Sequence, residues 1–404
     1  MLLLDQNWGL ALVSGAITVS VAAMLDATMM ELPCPNTAQY NGIVDEMYLK
    51  NTTTTSCYKC KFWDRFLATD YMWTTLTQPW TVIYLILMVL FMVLARFNFA
   101  FKFNIMFKGK KIKEFTNDEE SPGTPRSREY DYTFDNAIAR DDNKALNISF
   151  AGYMIGTGLL TWSSFSDLNP DDEWMNVLYV IVWQIFGIIF LELARIANDK
   201  IALHELNNRE EIILRRNMAV GISEFGGYIG AGQIVMGATS GTMASFGVDI
   251  ASAVLFFVLG HIVFLILDYI MITLDHFDFN DEIKKGNTAV AVYYALNHMT
   301  LGQLIATCII RTDSLLAFVS WVATGTVVII LLHVVVQKIL LPGTNIKNEI
   351  WEQQNWGAAL VYGAIPLSVA IYVNTFLPNT CENAVWYEAS NLYTESYFDG
   401  VFDD

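Results

Sequence analysis

Nine stretches of this chain, about 8–29, 79–101, 145–165, 175–197, 217–238, 246–274, 288–310, 314–340 and 356–377, are apolar and near or above 20 residues long. An α-helix rises about 1.5 Å per residue, so roughly 20 apolar residues cross the hydrocarbon of a bilayer. Several stretches are rich in Val and Ile but far too long for strands. In hydrocarbon a backbone must satisfy its own hydrogen bonds, which a helix does within one segment. Alternating ten-residue segments, the mark of an outer-membrane barrel, are too few. Composition agrees: 54% of residues are apolar and 16% charged, where soluble domains carry about a quarter charged. The expected fold is all-α: a polytopic integral membrane helical bundle of about nine transmembrane helices built from repeated helix pairs.

The repetition is legible at the starts of the odd-numbered stretches. An Asn with a small residue two places on opens an apolar run at Asn7, Asn143, Asn217, Asn287 and Asn355. The outermost copies nearly quote each other: Asn7-Trp8-Gly9-Leu10-Ala11-Leu12-Val13 returns as Asn355-Trp356-Gly357-Ala358-Ala359-Leu360-Val361. Later copies are spaced by 74, 70 and 68 residues, enough for two spans and their loops, and the first interval of 136 is about two such periods. Asn is a favoured N-cap, because its side-chain oxygen accepts from a free N–H of the first turn. Glycines at Gly152, Gly156, Gly226 and Gly230 have the small-xxx-small spacing of close helix packing in membranes.

Basic residues orient the bundle. With the N-terminus inside, 19 of the 24 Lys and Arg fall on the inner side, so the N-terminus is expected in the cytoplasm and, after nine spans, the C-terminus outside. The membrane is then a plasma membrane or endomembrane. Cys34, Cys57, Cys60 and Cys381 all fall on the outer side, where disulfides persist; four cysteines allow three pairings. Asn51-Thr52-Thr53 is a glycosylation sequon in the same outer loop. The expected organisation is a first transmembrane helix in 1–29, an exoplasmic cysteine-containing loop 30–78, a four-helix membrane unit 79–242 with a cytoplasmic linker 108–142, a second four-helix unit 246–377, and an acidic exoplasmic tail 378–404. The linker is mixed-charge with Ser121-Pro122-Gly123-Thr124-Pro125, a composition expected to be partly disordered.

The run Asp281-Glu282-Ile283-Lys284-Lys285-Gly286-Asn287-Thr288-Ala289-Val290-Ala291, with Glu352-Gln353-Gln354-Asn355-Trp356-Gly357-Ala358-Ala359 further on, resembles the signature of the domain of unknown function 350 family. These are small bacterial four-span membrane proteins. The resemblance implies that residues 246–377 are one whole unit and 79–242 a second, more diverged one, with Asn143-Lys144-Ala145 and Asn217-Met218-Ala219 at the matching helix starts. Gly before Asn occurs only at Gly286. The family carries no established activity, so the resemblance informs fold rather than function.

Ionisable groups within spans are costly and mark functional sites. The candidates for an intramembrane polar site are Glu224, His298, His261, Asp268 and Glu192. Counted from each Asn, Glu224 stands at +7, where other copies have Ser14, Phe150, Tyr294 and Tyr362; His298 stands at +11; and Gln233 and Gln303 both stand at +16. A pseudo-symmetric bundle would thus hold unlike polar groups at equivalent depths, as transporters built of repeats do. The plainer readings are that Glu192 pairs with Arg195 three residues on and that His333 bonds a backbone carbonyl. Metal, phosphate-loop and nucleophile-elbow motifs are absent from the sequence. No catalytic residue, metal or cofactor is expected, and a net charge of −17 speaks against nucleic acid. The expected function is a transporter or channel for an ion or small polar solute. The alternative is a structural or organising membrane protein that binds partners, or itself, through its outer loop and tail.

Overall fold

Each long helix that starts with the repeated Asn is introduced by a short helix, and the joint between them is the same four times. The computed structural model describes residues 79–107, 132–139, 141–166, 173–201, 203, 206–240, 246–275, 278–312 and 314–376, and the strands 111–116 and 126–131 as backbone. In chain order these form α1 (Pro79–Phe107), β1 (Lys111–Thr116), β2 (Arg126–Asp131), α2 (Phe134–Ala139), α3 (Lys144–Ser166), α4 (Glu173–Ile201), α5 (Asn208–Ile213), α6 (Met218–Thr239), α7 (Phe246–Asp275), α8 (Phe279–Lys284), α9 (Thr288–Arg311), α10 (Leu315–Val335, continued by a π-helical turn Val336–Leu340), a second π-helical turn (Asn348–Glu352) and α11 (Trp356–Phe376).

At each joint the residue before the Asn has a left-handed backbone: φ is 43° at Asp142, 52° at Arg216, 88° at Gly286 and 54° at Gln354. The Asn N–H then reaches back to a carbonyl of the short helix, Asn143 to Ala137, Asn217 to Glu211, Asn287 to Glu282 and Asn355 to Glu349, at 2.8–3.0 Å. This is the helix stop in which a left-handed residue lets the chain double back on an orphan carbonyl. The Asn side chain starts the next helix. Its oxygen accepts from Leu146 N at Asn143, from Ala219 N at Asn217, from Ala289 N and Val290 N at Asn287, and from Ala358 N at Asn355, at 3.1–3.2 Å.

The helices sort into two kinds. α3, α6, α9 and α11 form an inner row, each packed on the next. α1, α4, α7 and α10 lie outside it: α4 against α3 and α6, α7 against α6 and α9, α10 against α9 and α11, and α1 against α3. The inner contacts are backbone to backbone. A Cβ on Gly152 would stand 2.5 Å from Phe225 Cα, and one on Gly226 would stand 2.3 Å from Ala295 Cα. α6 is the most enclosed, with 18 of its 22 residues buried. The outer helices turn Ile86, Val93, Leu193, Leu255, Ile266 and Leu331 outward, all exposed, as a face against lipid requires.

Among the described residues, α1, α4, α7 and α10 are long and apolar enough to cross a bilayer, and Trp356–Tyr372 is a shorter apolar helix. By this measure the structure gives fewer spans than the nine expected. The physical reason is that α3, α6 and α9 carry the Gly, Ser, Thr, Asn and Gln that close the row, and these lower hydropathy, while α11 falls short by length. The stretch 8–29, with Asn7, lies outside the described residues, as do the loop 30–78 and the tail 378–404. Within 108–142, β1 and β2 pair antiparallel, Lys111 opposite Asp131 and Thr116 opposite Arg126, an element that the sequence reading did not foresee. Phe134 N then bonds Asn104 Oδ1 at 3.0 Å, tying the segment's end to α1.

Candidate functional site

Burial of α6 puts one carboxylate where water does not reach freely. Glu224 is 4% exposed and accepts a hydrogen bond from Ser149 Oγ on α3. None of the ion pairs found among the described residues includes it. A buried acid without a cation in contact is expensive to ionise. Arg195 and Arg209 add positive potential at Glu224, and Asp199 adds negative.

Glu224 opens onto a small cavity between α4, α6 and α7, which Arg195, Asn198, Asp199, Tyr228 and His261 help to line. Its volume for water centres is ≈ 20 Å³, room for about one water, since one needs ~10–15 Å³ on that measure. On the α4 side a charged chain runs along one helical face. Lys102 of α1 pairs with Glu192; Arg195 pairs with Glu192 at 3.3 Å and with Asp199 at 2.5 Å; Asn208 donates to Asp199 at 2.8 Å. On the α7 side, His261 bonds its own turn, Nδ1 to Phe257 O at 3.1 Å, which leaves Nε2 buried without a partner among the described residues.

A second buried pair lies between α7 and α9. His298, fully buried, bonds Asp268 at 2.9 Å through Nε2. The Tyr294 hydroxyl faces the same carboxylate, and the Tyr294 and Phe264 rings pack on the imidazole with centroids 4.1 and 4.9 Å away. Further along the α6–α9 seam, Gln233 Nε2 donates to Gln303 Oε1 at 2.9 Å. His333 bonds Ile329 O at 3.0 Å and stands apart, among Tyr293 and Tyr362.

The five acids and histidines singled out from sequence therefore fall in three places. Glu224 and His261 share the cavity. Glu192 reaches it through Arg195. Asp268 and His298 form the neighbouring pair. Lys102, Asn198 and Asp199 escape a reading by apolar stretches because they lie just past the ends of 79–101 and 175–197, whereas α1 and α4 carry on to Phe107 and Ile201. The available signal was the i, i+3, i+7 spacing of Glu192, Arg195 and Asp199, which is one face of a helix. Asp199 on α4 and Asp268 on α7 stand at nearly the same distance before the next repeated Asn, 18 and 19 residues.

The Asn residues do more than cap. Three of the four described amides also donate to a carbonyl at the end of the next short helix: Asn143 to Ile212 O at 2.9 Å, Asn217 to Ile283 O at 2.9 Å, and Asn287 to Trp351 O at 3.1 Å. Residues 130–239 match the family Domain of Unknown Function (DUF350), and residues 244–377 match it again. The chain belongs to the DUF350 family. The two matches adjoin, as a duplicated unit requires, and the first begins beyond α1. A UPF0719 transmembrane protein of Aquifex aeolicus (strain VF5) is 27% identical over 240 residues, 56% of this chain and 83% of that protein. No solved structure matches. Family and apolar helices together make this an integral membrane protein in contact with the lipid bilayer. Cys34, Cys57, Cys60, Cys381 and Asn51 lie outside the described residues; Cys308 is a free, buried thiol.

Proposed function

We propose that this protein carries a proton across the membrane, with Glu224 as the group that holds it. The observation that carries this reading is a buried carboxylate outside the ion pairs of the described residues, facing a cavity with room for about one water. A cavity of that size suits a proton or hydronium and is too small for a larger solute. The charges of Lys102 and Arg195 are held by Glu192 and Asp199, so Glu224 is the acid whose protonation changes the balance. The seam of small residues supports the same reading, because it closes the inner row to anything bigger.

In this reading the chain has nine spans in one leading helix and two four-helix units, 79–242 and 246–377. The N-terminus is cytoplasmic, the C-terminus exoplasmic, and the outer cysteines are disulfide-linked. No enzymatic step is involved. The test is proton flux into liposomes holding the purified protein under an imposed pH gradient. Flux that Glu224→Gln removes supports the reading. No wild-type flux under any gradient contradicts it and leaves the organising role.

A further inference from the structure

Glu224 and the Asp268–His298 pair lie on opposite sides of one small gap, at Gly227. Gly227 lines the cavity beside Glu224. A Cβ placed there would stand 3.3 Å from Asn198 Nδ2 and 3.7 Å from His298 Nδ1, so the missing side chain is what keeps open the space between the cavity and the imidazole. At this gap His298 Nδ1 is buried and has no hydrogen-bond partner among the described residues, and Asn198, whose Nδ2 borders the gap, has its Oδ1 buried and unpartnered there as well. Leaving a buried polar atom bare is unfavourable, and such sites in proteins are commonly met by internal water. The ring chemistry is complementary. Nε2 faces the Asp268 carboxylate at 2.9 Å and so carries the hydrogen, which makes Nδ1 the acceptor of a neutral imidazole.

We infer that a water seated at the Gly227 gap joins the Glu224 cavity to His298, and that His298 with Asp268 is the second station of one proton path. This rests on the proton reading above and extends it. The Glu224 carboxyl gives its proton to cavity water. That water passes a proton on to the water at the gap, which gives one of its own to His298 Nδ1, so both waters end neutral. The imidazolium formed keeps its Nε2–H on the Asp268 carboxylate, so the charge created at His298 is paired where it appears. The repeat favours the layout, since Asp268 stands on α7 within one residue of the place that Asp199 holds on α4, counted back from the next repeated Asn.

The experiment uses full-length protein, ¹⁵N-labelled at histidine, in lipid nanodiscs. It reads magnetisation transfer from water to the His298 imidazole, with the resonance assigned by its loss in His298→Gln. Proton flux in liposomes is measured in parallel. The expected result is a water contact in wild type and in Glu224→Gln, lost in Gly227→Ala together with the flux. Should Gly227→Ala fail to fold, Asn198→Leu removes the polar wall of the same gap and should give the same two losses. A wild-type imidazole with no water contact overturns the link, and Glu224-dependent flux would then stand without it. Loss of the contact with flux unchanged overturns His298 as a station. Absence of flux in wild type overturns the proton reading itself and the second station with it.

Discussion

Asn287 holds three elements at once. It caps α9, donates its backbone N–H to Glu282 O at its own joint, and donates its side-chain amide to the carbonyl of Trp351, 64 residues away. Asn355 caps α11 in the same way, but its amide goes to Glu349 of its own short turn at 2.9 Å. Loss of an N-cap costs about 1 kcal/mol, and stripping a buried carbonyl of its donor adds about 1–3 kcal/mol. Asn287→Ala should therefore lower stability about two to four times as much as Asn355→Ala in thermal unfolding in detergent. Equal losses would mean that the bond between repeats contributes nothing. Left-handed backbone gives a sharper pair. Around Gly286 there is space for a Cβ, with Asn217 Oδ1 3.9 Å away, so Gly286→Ala should cost about 1–2 kcal/mol through φ alone. Gln354→Gly should instead be neutral or stabilise by up to about 1 kcal/mol, the strain relief being partly offset by glycine's entropy. The repeated Asn was legible in sequence because capping is a local preference. Its bond to the next repeat was not, because residues 64–69 apart meet only through the fold. The left-handed site was legible at Gly286 and invisible at Asp142, Arg216 and Gln354, which adopt it without the residue that advertises it.

The inner and outer helices should answer mutation in opposite ways. α6 lies against α9 with no room for a side chain at Gly226, where the obstacle is backbone. Overpacking of this kind costs about 1–3 kcal/mol and occasionally more. Gly226→Val should sit at or beyond the top of that range in detergent unfolding, with α6 and α9 pushed apart. Leu331 of α10 is 57% exposed on the outward face, and a surface substitution there should stay within about 0.5 kcal/mol, so Leu331→Ala should unfold like wild type. A tolerant Gly226 with a sensitive Leu331 would invert the assignment of inner and outer rows. Helix positions were readable because hydrophobic runs of 20 residues have few other solutions. Which helices lie inside was not, since the apolar stretches that look most like spans, α1, α4, α7 and α10, are the outer ones, and the enclosed helices are the less apolar.

At the scale of the molecule, the repeat places acids at nearly matching positions on α4 and α7, and the packing decides which of them are neutralised. Lys102 on α1 and Glu192 on α4 are 17% and 18% exposed at their side chains. Breaking a buried pair by removing one partner costs about 3–5 kcal/mol, while replacing both by apolar groups is often neutral. Lys102→Met should destabilise toward that range, and the double variant Lys102→Met with Glu192→Met should recover part of the loss. Glu192 also holds Arg195, so recovery should be incomplete. Of the site, the sequence exposed the acids and histidines that stand alone in apolar surroundings. It concealed Lys102 and Asp199, which sit near helix ends and look like loop charges until the helices are seen to continue past them. Glu224 is the acid the network does not pair. The measurement that bears most directly on this account is proton uptake by liposomes under a pH gradient, comparing wild type with Glu224→Gln. The account predicts uptake well above protein-free liposomes in wild type and uptake at the protein-free level in Glu224→Gln. Uptake that Glu224→Gln leaves unchanged would contradict it.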